Sequence, residues 1–242
     1  MSGKLYSLEG IEGCGKSTVL TEIKSELAKE NQLANWLFTH EPGGTDAGED
    51  IRNLLLNQNY SADLSLATQS LLFAASRSEL NDKVIIPALN SDKNVLVDRY
   101  VDSSYVYQSL LSVNQKQSLS LNWVKEINRY AIKPSLVFWL DIDPELAQKR
   151  MNKRIKTTGQ QNYLDLKPEK EQYRRREAFE HLYHYSDNII RIKVDEDHSS
   201  KIIAQQILTD INSDLNKSNN IDKLNQIADL KTEKFVKPHQ QC

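Results

Sequence analysis

Short apolar runs alternate with stretches of helical periodicity along most of the chain. Five runs have the length of buried strands and are bounded by turn or polar residues: Lys4–Glu9, Asn35–Thr39, Asn94–Asp98, Leu136–Leu140 and Asn188–Val194. Between them apolar residues recur every three or four positions, as in Leu20, Ile23 and Leu27. Strands that alternate with helices form a parallel sheet. The pattern predicts an α/β fold, a doubly wound five-stranded parallel sheet flanked by helices.

A change in composition separates the end of the chain from the rest. Residues 1–211 hold all the predicted strands and are predicted to form one domain, whereas residues 212–242 are rich in Asn, Lys and Asp. A disordered tail fits this composition, and so does one weak amphipathic helix that uses Ile221, Leu224, Ile227 and Leu230. Both alternatives imply that a cut after Asp210 removes little buried surface.

Composition gives no sign of nucleic-acid or membrane binding. The formal net charge is -2 with acids and bases interspersed, so any basic site must be local. No apolar run is long enough to span a bilayer, and the chain enters its first predicted strand almost at once, which leaves no room for a signal peptide. The two cysteines, Cys14 and Cys242, indicate no disulfide framework. We therefore predict a soluble, cytoplasmic protein.

The first predicted strand ends in a phosphate-loop motif. Gly10 and Gly15 are separated by four residues and followed by Lys16 and Ser17, and a predicted helix comes next. Glycines let the backbone bring N–H groups against phosphate oxygens, and the helix start adds a favourable dipole. In such loops the Lys contacts the β- and γ-phosphates and the hydroxyl ligates Mg²⁺. The motif predicts that ATP with Mg²⁺ is bound by Gly10, Ile11, Glu12, Gly13, Cys14, Gly15, Lys16, Ser17 and Thr18.

Charged residues also follow the third predicted strand and begin an irregular segment. Asp98 and Arg99 stand at the edge where parallel α/β sheets bind ligands. Asp98 is placed to hold Mg²⁺ through water, or alternatively to cap the next helix. Residues 150–167 start with Arg150 and Arg154 and then lose clear periodicity, which is typical of a basic lid over a phosphate site.

Four segments together resemble thymidylate kinase of the bacterial type. They are Ile11–Thr18, Thr39–Thr45, Leu72–Arg77 and Asp98–Gln108. The likeness spans Lys4 to about Asp210. It implies a P-loop NTPase-like fold, phosphoryl transfer from ATP to dTMP that yields ADP and dTDP, and a homodimer.

The resemblance further implies roles on the sugar and phosphate side of dTMP. Arg52 and Arg99 would hold the dTMP phosphate, and Glu12 would face the sugar 3′-hydroxyl. Tyr107 would stand where a ribose 2′-hydroxyl projects. Glu41 belongs to a tight turn against the substrate, in which the Glu41–Pro42 bond is expected to be cis.

For the base and for ATP the resemblance implies a second set of residues. Phe73 would stack on thymine, Arg150 would lie against adenine, and Arg154 would act from the lid. Three polar residues would address the edge of the base: Arg77, Ser104 and Gln108. Without the resemblance, Phe73 is an ordinary core residue and the arginines of helices are ordinarily solvated side chains.

Two positions depart from the family pattern, and two other functions stay open. His40 stands where family members usually carry Arg. Gly13 stands where another branch places an arginine, so the lid is expected to supply the catalytic cation, from Arg154 with Arg150 or Lys153 as alternatives. Another nucleoside monophosphate kinase would share the loop and lid but not the base-reading set. A regulatory P-loop NTPase fits less well, because Asn152–Ile155 lacks the final Asp of the guanine-reading Asn-Lys-x-Asp motif.

Overall fold

A five-stranded, all-parallel sheet organises the fold. The computed structural model describes residues 3–57, 64–110, 119–158 and 169–233. The strands are β1 Leu5–Glu9, β2 Trp36–His40, β3 Asn94–Asp98, β4 Leu136–Ile142 and β5 Ile189–Val194. They lie in the order β2-β3-β1-β4-β5. The predicted fold class is confirmed, and every predicted strand is present with its ends shifted by one or two residues at most.

Helices connect successive strands and flank the sheet. They are α1 Lys16–Lys29, α2 Asp46–Leu56, α3 Leu66–Leu80, α4 Ile86–Asn90, α5 Val101–Ser104, α6 Leu121–Ile127, α7 Pro144–Thr158, α8 Glu169–His184 and α9 Ser200–Glu233. In the described part of the chain, no helix has the combination of length and apolar composition that a membrane span requires.

The register of the central strands brings two sets of loop residues together. β1 pairs with β3 on one side and with β4 on the other, and Leu8 of β1 stands beside Asp98 of β3. Val95, Leu96 and Val97 are fully buried, as expected for a strand covered on both faces. Because both strands are parallel and end at the same level, the residues that follow them, Gly10 and Arg99, lie at one edge of the sheet.

Two π turns interrupt the helical layer. The first, Asn81–Ile85, directly precedes α4, which has Pro87 in its first turn. Proline lacks an N–H donor and its ring clashes with the preceding turn, so a regular helix does not continue through it. The second, Tyr105–Ser109, carries Tyr107 and Gln108. Wide turns of this kind change the direction of side chains and are frequent at functional sites.

The last helix differs from the expectation for the end of the chain. α9 runs through Asn212 without interruption and ends at Glu233, and residues 234–242 lie outside the described part. Ile211 is fully buried, and Leu215 packs against the main core cluster. Lys4 Nζ lies 2.7 Å from Asp214 Oδ2, and the Tyr6 hydroxyl donates to the same oxygen at 3.0 Å. The expectation that a cut after Asp210 removes little buried surface is therefore wrong.

We predict that truncation after Asp210 destabilises the protein. The cut removes two packed aliphatic side chains and the carboxylate that binds Lys4 and Tyr6, which together cost on the order of 3 kcal/mol. Tm should fall by roughly 5–10 °C. A chain that ends after Lys217 keeps these contacts and is the matched control for calorimetry. Equal melting temperatures for the two truncations would contradict the prediction.

Candidate active site

The phosphate loop connects β1 to α1 in a conformation that its glycines permit. Gly13 has φ +82°, and a Cβ there would lie 2.4 Å from the carbonyl oxygen of Ala147. Gly15 has φ +99° and directly precedes α1, with no side chain capping the first turn. The N–H groups of that turn are therefore available to an anion. Lys16 is buried, and its Nζ donates to the carbonyl oxygen of Gly10 at 3.2 Å.

One cavity of about 1260 Å³ extends from this loop across the carboxyl edge of the sheet. It is lined by nearly all of the predicted site residues: Glu12, Gly13, Cys14, Gly15, Lys16, Ser17, Thr18, Glu41, Arg52, Phe73, Arg77, Asp98, Arg99, Ser104, Tyr107, Gln108, Arg150 and Arg154. Gly10 and Ile11 do not line it. Ile11 is a core residue, 1% exposed, and Gly10 contributes the carbonyl that holds Lys16. Residues predicted from four separate segments therefore share one cavity.

Glu12 lies at the centre of a charged cluster on the cavity wall. Its Oε1 accepts from Arg99 Nη2 and from the Tyr107 hydroxyl, both at 3.0 Å, and its Oε2 accepts from Arg175 Nη1 at 2.6 Å. Burial by itself would raise the pKa of Glu12, but Arg175, Arg99 and Lys16 lower that pKa to about 2. The carboxylate is therefore charged at any physiological pH.

Arg99 is positioned by an unusual backbone conformation at the end of β3. Its φ is +65°, in the left-handed region, and its N–H donates to the carbonyl of Leu8 at 3.0 Å. A non-glycine residue in that region is uncommon and is frequently found at functional sites. The guanidinium lies 5.3 Å from the ring centre of Tyr107 and also donates to Ser103 Oγ. Burial opposes its charge, but Tyr107, Glu12, Glu9 and Asp98 together raise the pKa of Arg99.

A second fixed guanidinium, Arg77, stands at the other end of the cavity. Its Nε donates to Glu41 Oε2 at 2.8 Å, its Nη2 donates to the carbonyl of Tyr100 at 3.3 Å, and its Nη1 donates to Asn128 Oδ1. The side chain is only 3% exposed. The solvated-arginine alternative therefore does not hold for Arg77. Glu41 precedes Pro42 through a cis bond, as predicted.

Other predicted residues line the same cavity as these two arginines. Arg52 Nη1 donates to the carbonyl of Pro42 at 2.7 Å, so α2 is tied to the same turn as Glu41. Phe73 is half-buried on the cavity wall, and its ring is therefore accessible to a ligand. Ser104 and Gln108 are both buried and line the cavity.

His40 lines the cavity and is held beside the glycine turn. Its Nε2 lies 2.9 Å from Glu49 Oε1, and the N–H of Gly44 donates to the same oxygen at 2.8 Å. The hydrogen bond from Gly44 and the nearby His40 and Arg52 lower the pKa of Glu49. His40 therefore contributes to holding the glycine turn in place.

The metal site predicted at Ser17 and Asp98 fits the residues present. Both line the cavity, and Asp98 Oδ1 is buried with no hydrogen-bond partner in the described part of the chain. Within the same residues, no group of three or more His, Cys, Asp or Glu side chains could enclose a metal. A few oxygen ligands supplemented by water and phosphate are what Mg²⁺ prefers.

Helix α7 carries the basic start of the predicted lid. Arg150 Nη2 donates to the carbonyl of Asp195 at 3.3 Å, and Arg154 is exposed on the cavity side. The helix runs to Thr158 and so includes the first part of the predicted lid. Residues 159–167 of the predicted lid lie outside the described part.

Arg175 lines the cavity and was not predicted from the sequence. It belongs to α8, where Gln172, Arg175, Ala178 and Leu182 recur at helical spacing and are all buried. The sequence contained one signal for this residue: Arg175 occupies a position on the apolar face of the helix. An arginine there must be buried, and a buried arginine needs a partner. The high charge of the whole segment obscured it.

Asp102 is a buried carboxylate behind the cavity wall, near Glu9 and Arg77. Burial and the charge of Glu9 raise its pKa from 3.8 to about 7. A carboxyl group whose pKa is raised on folding ionises more easily in the unfolded chain, so Asp102 lowers stability progressively as pH rises from about 4 to about 7.

Comparisons with known proteins identify the family. A parallel sheet of this order, with a phosphate loop and basic residues around one cavity, defines a P-loop nucleotide phosphotransferase. A family model for thymidylate kinase matches residues 8–207, and the chain belongs to the thymidylate kinase family. Enzymes of this family transfer a phosphoryl group from ATP to dTMP and produce ADP and dTDP.

Individual relatives agree with the family model. A thymidylate kinase of Thermoanaerobacter sp. (strain X514) is 43% identical over 157 residues, which cover 64% of this chain and 73% of the relative. One of Geobacillus sp. (strain WCH70) is 35% identical over 196 residues, covering 79% and 89%. The solved thymidylate kinase of Candida albicans superposes with a TM-score of 0.69 at 23% identity, covering 89% of this chain and 93% of that one, and supports the fold.

We predict that Asp102→Asn becomes relatively more stable as pH rises. The variant cannot ionise, so its free energy of unfolding relative to the unsubstituted protein should increase between pH 5 and pH 8 by on the order of 2 kcal/mol. Thermal unfolding at both pH values measures this. Asp82→Asn, at an exposed position, is the matched control. A stability difference that is the same at pH 5 and pH 8 would contradict the assignment.

Proposed function

We propose that the two ends of the cavity bind the two nucleotides of the dTMP kinase reaction. ATP lies along the phosphate loop, with its phosphates on Lys16 and the N–H groups at the start of α1 and its adenine against Arg150. dTMP lies at the Arg77 end. The observation that carries this proposal is the buried Arg77 guanidinium, held by Glu41, Asn128 and Tyr100 beside the accessible ring of Phe73.

Arg77 has donor capacity left for a base. Nη1 carries two N–H groups, and among the described residues Asn128 accepts from one of them. Thymine presents the acceptor O4 on its polar edge, whereas cytosine presents an amino group at that position. Arginine can only donate, so the second N–H suits thymine and leaves a desolvated charge unpaired against cytosine. Ser104 and Gln108 complete the polar edge.

The dTMP phosphate is bound between the ends of α2 and β3. Arg52 and Arg99 both line the cavity and supply two positive charges. Glu12 accepts the sugar 3′-hydroxyl. Tyr107, which donates its hydroxyl to Glu12, occupies the space that a ribose 2′-hydroxyl would need.

Transfer requires positive charge between two anionic nucleotides, and no protein nucleophile is needed because the dTMP phosphate attacks already ionised. Lys16, Arg99 and Arg154 supply that charge. Ser17, and Asp98 through water, would hold Mg²⁺, which would neutralise phosphate charge during transfer. The orphaned Oδ1 of Asp98 supports this assignment. The cytoplasm, which holds both substrates, is the proposed compartment, and cell fractionation checks it.

A coupled ATPase assay against a panel of monophosphates tests the substrate assignment. dTMP should give the highest kcat/KM, dUMP should follow by roughly 10–200-fold because it lacks one methyl group, and dCMP should be lower than dTMP by roughly 10⁴-fold. UMP should be slower than dUMP. Arg77→Ala should reduce the gap between dTMP and dCMP far more than the gap between dTMP and dUMP.

Arg129→Ala is the matched control for Arg77→Ala, because Arg129 is exposed and, within the described residues, donates to Glu126 and Tyr130 nearby in sequence. A panel in which dCMP or UMP is the best substrate would indicate another nucleoside monophosphate kinase. ATP turnover that no monophosphate stimulates would favour a regulatory NTPase.

The assignments on the phosphate side predict two separable losses. Arg154→Ala should lower kcat by about 10²-fold and leave the dTMP KM nearly unchanged, because a lid cation contacts the transferring phosphate. Asp98→Asn should instead raise the Mg²⁺ concentration at half-maximal rate. Lys149→Ala, exposed on the same helix as Arg154, is the control. A raised dTMP KM with unchanged kcat in Arg154→Ala would make Arg154 a binding residue.

We also propose a homodimer formed through the outer face of α2 and α3. Leu71 is 51% exposed and Leu54 is 36% exposed, and Ala75, one turn after Leu71, is exposed as well. Neighbouring exposed apolar residues of this kind mark interaction surfaces.

Light scattering tests the dimer. The unsubstituted protein should have twice the chain mass of 27.8 kDa, and Leu71→Glu should shift the mass towards one chain. Ile202→Glu, at a similarly exposed apolar position on α9, should leave the mass unchanged. A monomeric unsubstituted protein at micromolar concentration would overturn the proposal.

A further inference from the structure

Arg175 is buried against the phosphate loop although its own helix does not require a charge there. The side chain is 3% exposed, and the residues that share its face of α8, among them Phe179 and Leu182, pack into the hydrophobic core. A buried ion pair is seldom more stabilising than well-packed apolar side chains of the same size. The two neighbouring arginines on α8 have other partners, Glu171 for Arg174 and Asp141 for Arg176. Of the three, Arg175 alone lines the cavity.

The side-chain contacts of Glu12 within the described residues leave one acceptor position open. Each carboxylate oxygen can accept about two hydrogen bonds. Oε1 accepts from Arg99 and Tyr107, so both of its positions are used. Oε2 accepts from Arg175 Nη1 at 2.6 Å and has one position left. Arg175 therefore determines which way the remaining acceptor of Glu12 can point.

Arg175 also has a donor to spare. Its Nε is buried and has no hydrogen-bond partner in the described part of the chain. A buried donor without a partner carries a desolvation cost, which a ligand can relieve. A hydroxyl group of a ligand can donate to the open acceptor of Glu12. The positive charge of Arg175 holds the carboxylate in the orientation that receives it.

We infer that Arg175 is a positioning residue for the sugar of the acceptor nucleotide: it orients the Glu12 carboxylate so that its one open acceptor position receives the 3′-hydroxyl. The inference rests on the proposed function, in which dTMP supplies that hydroxyl. It also assigns α8 a role at the site, since Arg175 joins that helix to the phosphate loop.

The test compares dTMP with its 3′-deoxy analogue, which lacks the hydroxyl. For each protein, the ratio of kcat/KM for dTMP to kcat/KM for the analogue measures recognition of that group. Arg175→Met should lower the ratio by about 10-fold, the scale of one hydrogen bond to a charged group, and should leave the ATP KM unchanged. Arg175→Lys keeps the charge but not the second donor and should lower it less. Arg174→Met is the matched control and should keep the ratio of the unsubstituted protein.

A double-substitution cycle shows whether the effect acts through Glu12. In a Glu12→Gln background, Arg175→Met should not change the ratio further, because the acceptor that it orients has been altered. Equal losses on dTMP and on the analogue, with an unchanged ratio, would make Arg175 purely structural and overturn the inference. If Arg175→Met does not fold, the ratio for Arg175→Lys decides in the same way.

Failure of the inference is distinguishable from failure of the proposed function. If the unsubstituted protein does not phosphorylate dTMP, the proposed function falls before any variant is compared. If it does, and the ratio survives in folded Arg175 variants, only the role of Arg175 is rejected.

Discussion

A site for two anionic nucleotides must gather positive charge, and gathered cations repel one another unless internal acceptors hold them apart. Each cation of the cavity wall that the structure shows in detail has such an acceptor. Arg99 and Arg175 share Glu12, and Arg77 pairs with Glu41. Lys16 and Arg52 donate to backbone carbonyls instead. The guanidinium groups are thereby fixed in position before a ligand arrives, which lowers the reorganisation that binding and catalysis would otherwise require.

The same constraint gives two glutamates of one cavity opposite properties. Glu12 is surrounded by three cations, which lower its pKa to about 2 despite burial. Glu41 faces one arginine and another buried acid, so burial dominates and raises its pKa to about 7. Glu12 is thus kept charged, while the pKa of Glu41, which pairs with Arg77, lies near neutrality. Side-chain type alone does not distinguish the two.

Backbone geometry determines which residues can meet at the cavity. The parallel register of β1 and β3 places the phosphate loop beside Asp98 and Arg99. Arg99 then turns towards Glu12 through a left-handed backbone conformation. The π turn after α5 directs Tyr107 to the same carboxylate. Two local departures from regular structure, together with the strand register, therefore bring these side chains to one site, as is common where function is concentrated.

The sequence by itself determined the strands, their alternation with helices and the loops that follow β1, β2 and β3, because these depend on local periodicity and turn residues. It did not determine that Ile11 belongs to the core, that α9 docks through Ile211 and Asp214, or that Arg175 reaches Glu12. The last contact joins residues 163 positions apart, and only the packing of α8 against the sheet creates it. The local sequence pattern indicates the secondary structure of a segment. The partner of a buried charge depends instead on which distant segment the tertiary structure brings within hydrogen-bond distance.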